Sequence, residues 1–481
     1  MTYLTDIDPQ ESLTPKEAMA KAKNNVYGNN LLLDIDHKIK EHDIKYVRFE
    51  QYDLYGIPRS KNVPINYFKH YLEHGLNFYG GILTCDVQTR CAPGTGYGEE
   101  VTYGDARTIP DLSTFMVLPW VPNTARIIVD PHWYDGRPLM ATPRILLKKY
   151  LKKYYDLGYI VRFGFEFEFY LFKEGTLEPA YGSQPIFLTL YNNFDIDYLY
   201  GMMDTLQAAG FRIITQNSEQ GPGQQELNLD CRDGLAAVDE AQCFKYAIKE
   251  ISRQYGYVAS FMTKPYIDRC ASGAHIHISL IDRRTGQNAF LDNSQEDGLS
   301  DLLKHFLAGI IEHAPANTVF TAPTVNCYKR YRPGVCAPTT ATWGFENRSV
   351  GFRIKSTRGQ STHLENRLAC APANPYLSAL STLAAGYLGI KDVMACPPPA
   401  LHDVWADPSI PLLPDSLEDS LLAFQQDSDL KEAYGPELVK VVEAMKNWDI
   451  KTAKENCPSY GTPEFKTFIS EWEREEFLEI L

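Results

Sequence analysis

Residues 163–172, Phe-Gly-Phe-Glu-Phe-Glu-Phe-Tyr-Leu-Phe, alternate apolar and acidic positions and predict a β-strand. Side chains repeat every two residues, so Phe165, Phe167 and Phe169 share one face while Gly164, Glu166 and Glu168 share the other. Alone, this reads as a half-buried sheet with a solvated acidic face. A second strand of the same kind, residues 273–280, turns Ala274, Ile276 and Ile278 one way and His275, His277 and Ser279 the other. A third segment sets Glu219 and Glu226 about a Gly/Pro turn, and residues 363–367 bring Glu365 and Arg367. Acid and imidazole pairs repeated on short strands, with arginines arriving late, describe a metal–phosphate cleft.

The rest of the pattern supplies the frame. Residues 1–35 are polar and read as a short helical or irregular extension. Between Ile44 and Val129 the chain predicts strands and turns, with strand-like runs at 46–64, 82–90 and 125–130; Asp53-x-x-Gly56 is a hairpin turn within the first. At Thr142-Pro143 the character changes. Thr142 suits an N-cap, Pro143 the first helical position, and Ile145, Leu146, Tyr150 and Leu151 recur at helical spacing until Gly158. Helices are expected near 195–209, 235–255, 297–314 and 374–390, with a strand at 211–215, a Pro-rich loop at 396–414 and an acidic helical tail. No internal repeat is visible.

Composition narrows the chemistry. A chain of 481 residues with 44% hydrophobic and 22% charged positions buries a large core, here expected as one large and one smaller domain. The formal charge of −14, without a basic block, argues against nucleic acid or an anionic membrane as partner. An anionic substrate must then be held by local arginines. Ten cysteines at irregular spacing, no CxxC pair and no leader-like N-terminus read as reduced thiols of a cytoplasmic enzyme. No apolar run is long enough to span a membrane.

Glu166, Glu168, Glu219, Glu226, His275 and Glu365 form an oxygen-rich ligand set suited to Mg²⁺ or Mn²⁺ rather than zinc. Arg330, Arg348, Arg353 and Arg367, interleaved with Gly, Pro and aromatics, are the donors for carboxylate or phosphoryl groups. Two metals beside arginines suggest phosphoryl transfer.

In this order the segments GFEFEF, GPGQQE, SGAHIHISL, NCYKRYRPG, ENRSVGFRI, LENR and ANPYLSAL resemble the glutamine synthetase family over roughly residues 40–430. The resemblance implies an α+β fold, with an N-terminal β-grasp domain at 36–135 after the extension and a C-terminal catalytic domain at 136–481, an antiparallel sheet with surrounding helices. It implies stacked hexameric rings (a dodecamer) with active sites between subunits, and ATP-dependent activation of L-glutamate as γ-glutamyl phosphate before capture by an amine. Carried over by position, Glu168, Glu219 and Glu226 look like ligands of the metal nearer glutamate, and Glu166, His275 and Glu365 like ligands of the metal on the nucleotide phosphates. Arg330 resembles the grip on the α-carboxylate and Arg367 that on the γ-carboxylate. Arg348 and Arg353 resemble the phosphate pair, while His277 and Ser279 fall on the nucleotide side.

The departures point to the nucleophile. Where ammonia-using members carry a Glu in PGYEAP, this chain reads Pro-Gly-Val-Cys-Ala-Pro with Cys336; where they carry an Asp in an FDGSS-like segment, it has Tyr79. An Asn-Gly pair near the glutamate amino group is replaced by Cys270-Ala271, and a phosphate-side Arg by His363. The Tyr that some bacterial members carry for adenylylation has no match near 401–407. Without acids to compensate it, a buried ammonium is disfavoured. The expectation is a γ-glutamyl-amide ligase for an amine other than ammonia. A neutral aromatic amine such as aniline is first choice, then a short alkylamine, then a polyamine, with ordinary glutamine synthesis as the conservative alternative. A catalytically dead relative should have lost ligands or arginines, and this chain keeps them.

Overall fold

The computed structural model describes residues 12–481 apart from 177, 183–185, 193, 333–336 and 356–358. A six-stranded sheet holds β1 (Tyr46–Tyr52), β2 (Pro58–Pro64), β3 (Asn77–Tyr79), β4 (Asp105–Pro110), β5 (Met116–Val117) and β6 (Thr124–His132), in the order β2-β1-β6-β4-β3 with β5 on β6. An eight-stranded sheet holds β7 (Tyr159–Lys173), β8 (Ile213–Ser218), β9 (Gln224–Asp233), β10 (Tyr257–Ser260), β11 (Ala274–Asp282), β12 (Trp343–Phe345), β13 (Phe352–Lys355) and β14 (His363–Asn366). Its order is β12-β13-β14-β11-β7-β9-β8, with β10 on β7. Among the described residues only the β1–β6 and β12–β13 pairs are parallel. The architecture is the α+β arrangement the resemblance implies.

Local chemistry accounts for most elements. The β1–β2 turn lies at Asp53–Gly56: Asp53 Oδ1 accepts from the amides of Tyr55 and Ile57, and Gly56 takes φ +76°, where a Cβ is strained. Helix Pro143–Asp156 starts at its proline; Thr142 holds the N-cap position, but its hydroxyl does not bond the helix amides. Helices Ile196–Ala208, Leu235–Gln254 and Pro375–Lys391 fall where expected.

Four readings change. Residues 82–90 are not a strand: a 3₁₀ turn, Gly80–Thr84, leads into a tight turn in which Asp86 Oδ1 accepts from the amides of Gln88 and Arg90. An amphipathic helix, Ile65–His74, interrupts the expected strands and buries Phe68 and Leu72. The helix expected at 297–314 begins at Asp301, where Ser300 caps it, and a second helix, Ala314–Thr321, follows. The first 35 residues lead into two described helices, Pro15–Asn24 and Val26–Glu41, the latter running past residue 35.

The phenylalanine face of β7 anchors the large sheet. Phe163, Phe165, Phe167 and Phe169 are buried, Phe165 and Phe167 stack at 5.9 Å, and Phe167 meets Phe244 of helix Leu235–Gln254 at 5.9 Å. Each such side chain contributes about 1.5–3 kcal/mol by leaving water. The acidic face is thereby forced to the opposite side. A separate apolar core under the small sheet gathers Val47, Phe49, Phe68, Ile127 and Val129.

Arg144 ties the small sheet to the larger body. It is buried and bonds Asp130 of β6, Asp111 just after β4, and Asp239 of helix Leu235–Gln254. Arg144→Met leaves Asp111 and Asp130 sharing Lys148 and Asp239 with the Tyr376 hydroxyl but no ion-paired cation among the described residues. It is expected to cost about 3–5 kcal/mol in urea unfolding, the range for breaking a buried ion pair from one side; a change below 1 kcal/mol would refute this role. Among the described residues no helix is long and apolar enough to cross a membrane.

Candidate functional site

Strand pairing brings the expected ligands together. On the polar face of the large sheet His275 of β11 lies opposite Glu166 of β7, Glu226 of β9 opposite Glu168, and Glu365 of β14 opposite His277. Glu166, His275 and Glu365 offer ligand atoms all within 4.8 Å of one another. His275 Nδ1 stands 2.7 Å from Glu166 Oε1 and 3.6 Å from Glu365 Oε1; His277 Nε2 is 3.6 Å from Glu166 Oε2.

Glu168, Glu219 and Glu226 form the neighbouring acidic half. Glu168 Oε2 accepts from the Gly273 amide at 3.1 Å and from Gln224 Nε2 at 3.3 Å. Asn217 and Asn228 donate to Glu219 and Glu226. Burial, then the charge of Glu168, pushes Glu219 up to about 8; burial, then Glu166 and Glu168, pushes Glu226 up to about 10. Glu365 behaves oppositely. Burial raises it, but His275 and Arg367 outweigh that and hold it at about 2. Carboxylates crowded this closely ionise together only beside added positive charge, and an oxygen-dominated donor set fits a hard divalent cation.

The arginines divide. Arg330 is buried and donates through Nη1 to the Leu368 carbonyl and through Nη2 to that of Arg367, both at 3.2 Å. Arg367 Nη1 reaches Glu365 Oε1 at 2.6 Å, and Arg353 bridges Glu365 Oε2 at 3.0 Å and Glu346 Oε2 at 2.6 Å. The Nε atoms of Arg353 and Arg367 are buried without partners among the described residues, as donors awaiting an acceptor would be. Arg348 is exposed on the turn before β13, apart from this network.

Two further residues escaped the sequence reading. A Cβ on Gly273 would meet Arg330 Nη2 at 3.0 Å, His275 Nε2 at 3.1 Å and Glu168 Oε1 at 3.4 Å, so the glycine keeps open the point where those groups converge. The SGAHIHISL motif contained that signal. Glu346, held at φ +47°, opens the ENRSVGFRI segment, but only folding sets it against Arg353.

His277 and His363 touch, Nδ1 to Nε2, at 3.1 Å; burial and then His277 push His363 down to about 4, so it stays neutral. Ser279 is buried two residues beyond His277, opposite Arg162. The Cys270 thiol donates to Gln220 Oε1 at 3.0 Å, and the Ala271 carbonyl accepts from Gln224, which also serves Glu168. Tyr79 ends β3 of the small sheet, away from the acidic strands; its ring lies 6.2 Å from that of Tyr103. Cys336 lies outside the described residues.

Comparisons with known proteins agree with this geometry. Residues 140–462 match the family model for the glutamine synthetase catalytic domain. The chain is 30% identical to the glutamate–isopropylamine ligase of a Pseudomonas species, over 94% of this chain and 98% of that protein. It is 32% identical to the glutamine synthetase of Halobacterium salinarum, over 92% and 95%. The solved ADP complex of GmaS superposes with a TM-score of 0.79 at 27% identity, covering 91% of this chain and 97% of that one. Fold, ligand-bearing strands and relatives converge: the chain belongs to the glutamine synthetase family, whose members use ATP and divalent cations, and is an ATP-dependent glutamate ligase.

Proposed function

We propose that this enzyme joins the γ-carboxylate of L-glutamate to an amine other than ammonia through γ-glutamyl phosphate, with an aromatic amine such as aniline as the best fit. The observation that carries the reading is Tyr79. Ammonia-using relatives place an aspartate there, whereas burial and then Cys91 hold this phenol well above its ordinary value, so it stays neutral. With Tyr103 beside it, the position presents aromatic surface where an aspartate would present a carboxylate. Such a wall suits a neutral ring and leaves an ammonium ion uncompensated.

The remaining roles belong to the same proposal. Glu168, Glu219 and Glu226 hold one divalent cation and Glu166, His275 and Glu365 another, with Mg²⁺ or Mn²⁺ the choice for oxygen donors. Bound there, the cations offset charge on phosphate oxygens. Arg330 binds the α-carboxylate and Arg367 the γ-carboxylate; Arg353, joined by Arg348 from its exposed turn, is assigned to the transferred phosphoryl group. His277, Ser279 and His363 lie on the nucleotide side, and Cys270 and Ala271 near the glutamate amino group. Cys336 completes the amine pocket on sequence grounds. Because Tyr79 sits on the small sheet, the pocket is assigned to the junction of two subunits in a double-hexamer ring, with the catalytic body spanning residues 136–481. The cytoplasm is the proposed compartment.

A short alkylamine is the second reading, favoured by the isopropylamine ligase among the relatives. The deciding experiment supplies ammonium, isopropylamine and aniline together with glutamate and ATP and quantifies each amide. The anilide should dominate, and Cys336→Glu should move product toward glutamine. Predominant glutamine from the unaltered enzyme would overturn the reading.

A further inference from the structure

The turn that replaces the expected strand at 82–90 carries a thiol pair. Cys85 and Cys91 are antiparallel bridge partners, and the Asp86 amide donates to the Arg90 carbonyl at 2.9 Å. That bond makes the cysteines a non-hydrogen-bonded pair, the position where facing Cα atoms approach to about 4.5 Å. A disulfide requires a Cα separation of about 4.4–6.8 Å. Their sulfurs already stand 3.3 Å apart, Cys85 buried and Cys91 exposed.

The backbone is held in this register from several sides. Asp86 accepts from the amides of Gln88 and Arg90, from Arg90 Nε and from Trp448 Nε1. Arg90 pairs with Glu476, whose carbonyl accepts from Gln88 Nε2. The thiols therefore face each other through a turn anchored to the C-terminal part of the chain. Closing a bond between them requires side-chain rotation alone.

We propose that Cys85 and Cys91 are a modification site that forms a reversible disulfide beside Tyr79. The Cys91 thiolate attacks one sulfur of a small-molecule disulfide such as oxidised glutathione, forming a mixed disulfide and releasing one glutathione thiolate. Cys85 then loses its proton and attacks the Cys91 sulfur, releasing the second glutathione. The two cysteines lose two electrons and two protons; oxidised glutathione is reduced to two thiols. The order follows from access: the oxidant reaches Cys91, whereas burial and then Cys91 push the Cys85 thiol up to about 12. In a reducing compartment such bonds are transient and redox-sensing. The Tyr79 hydroxyl lies 3.8 Å from Cys91 Sγ, so closure removes its thiol neighbour. The consequence for amine use rests on the placement of Tyr79 in the amine pocket.

The test equilibrates the full-length enzyme in glutathione buffers from reducing to oxidising, quenches with acid, alkylates and maps peptides. Loss of alkylation at both Cys85 and Cys91, with a mass loss of two hydrogens and reversal by dithiothreitol, is expected. Exposed Cys231, with no thiol partner among the described residues, serves as control and should retain a glutathione adduct. Cys85→Ser should trap the same adduct on Cys91. Wild-type enzyme that keeps both thiols alkylatable, or keeps glutathione on Cys91 as on Cys231, overturns the proposal whatever the amine preference. In the oxidised form the KM for the amine should shift while those for glutamate and ATP stay constant. A disulfide without that shift overturns its coupling to Tyr79.

Discussion

Glu226→Ala and Glu365→Ala are expected to lower amide formation alike and to change stability in opposite ways. Glu226 faces Glu168 directly across the β7–β9 pair, where like charges destabilise a sheet. Its raised carboxyl is therefore protonated in the metal-free protein, and removing it strands no charge, so urea unfolding without added metal should stay level or rise. Glu365 meets His275 and is the shared counter-charge of Arg353 and Arg367. Its loss strands the buried Arg367 guanidinium, leaves Arg353 on Glu346 alone, and should cost about 3–5 kcal/mol. Both variants should lose more than about a hundred-fold in turnover, since even the outer-shell partners of metal ligands are worth 10–100-fold. The measurements are anilide and glutamine formation with Mg²⁺ or Mn²⁺ restored after chelation, alongside urea unfolding of the chelated protein. Near-normal turnover in either variant would remove that residue from the ligand set. A Glu226→Ala protein destabilised as much as Glu365→Ala would show the acidic half to be structural.

Arg330→Lys should raise the KM for glutamate at least about ten-fold while leaving that for ATP nearly unchanged, because lysine keeps the charge but loses the planar fork. The guanidinium is braced by the carbonyls of Arg367 and Leu368, and its Nη2 edge borders the space opened by Gly273. Lysine offers one rotating ammonium in place of that braced donor pair. Steady-state kinetics with glutamate and ATP varied separately decides the matter. An equal rise in both constants would indicate a collapsed site and refute the assignment to the α-carboxylate.

Several parts of this molecule are written in local pattern. The two-residue period of 163–172 and 273–280 assigns Glu166, Glu168, His275 and His277 to one side of their strands without reference to any partner. Pro143 and Asn374-Pro375 start helices because a proline nitrogen needs no hydrogen bond in the first turn. Resemblance then extends these pieces into a ligand set and an order of roles. The strand expected at 82–90 failed for a physical reason: alternating side chains suggest extension, but one aspartate accepting nearby amides closes a turn instead. The helix at Ile65–His74 is hard to read from sequence because its apolar stripe rests on two buried residues, Phe68 and Leu72.

Tertiary structure decided what lies between those pieces. His275 and Glu166 are 109 residues apart in the chain and 2.7 Å apart in space, and only strand register makes them neighbours. Register also sets Glu226 against Glu168 and lets Glu365 meet His275, Arg353 and Arg367 at once. The raised carboxyls of Glu219 and Glu226 follow from burial, which no periodicity reports. Glu346 and Gly273 belong here too, one through the arginine it faces and the other through the atoms its missing Cβ leaves room for. Side-chain alternation is a property of one strand, whereas charge coupling is a property of distance, and long-range pairing of the sheet alone sets those distances.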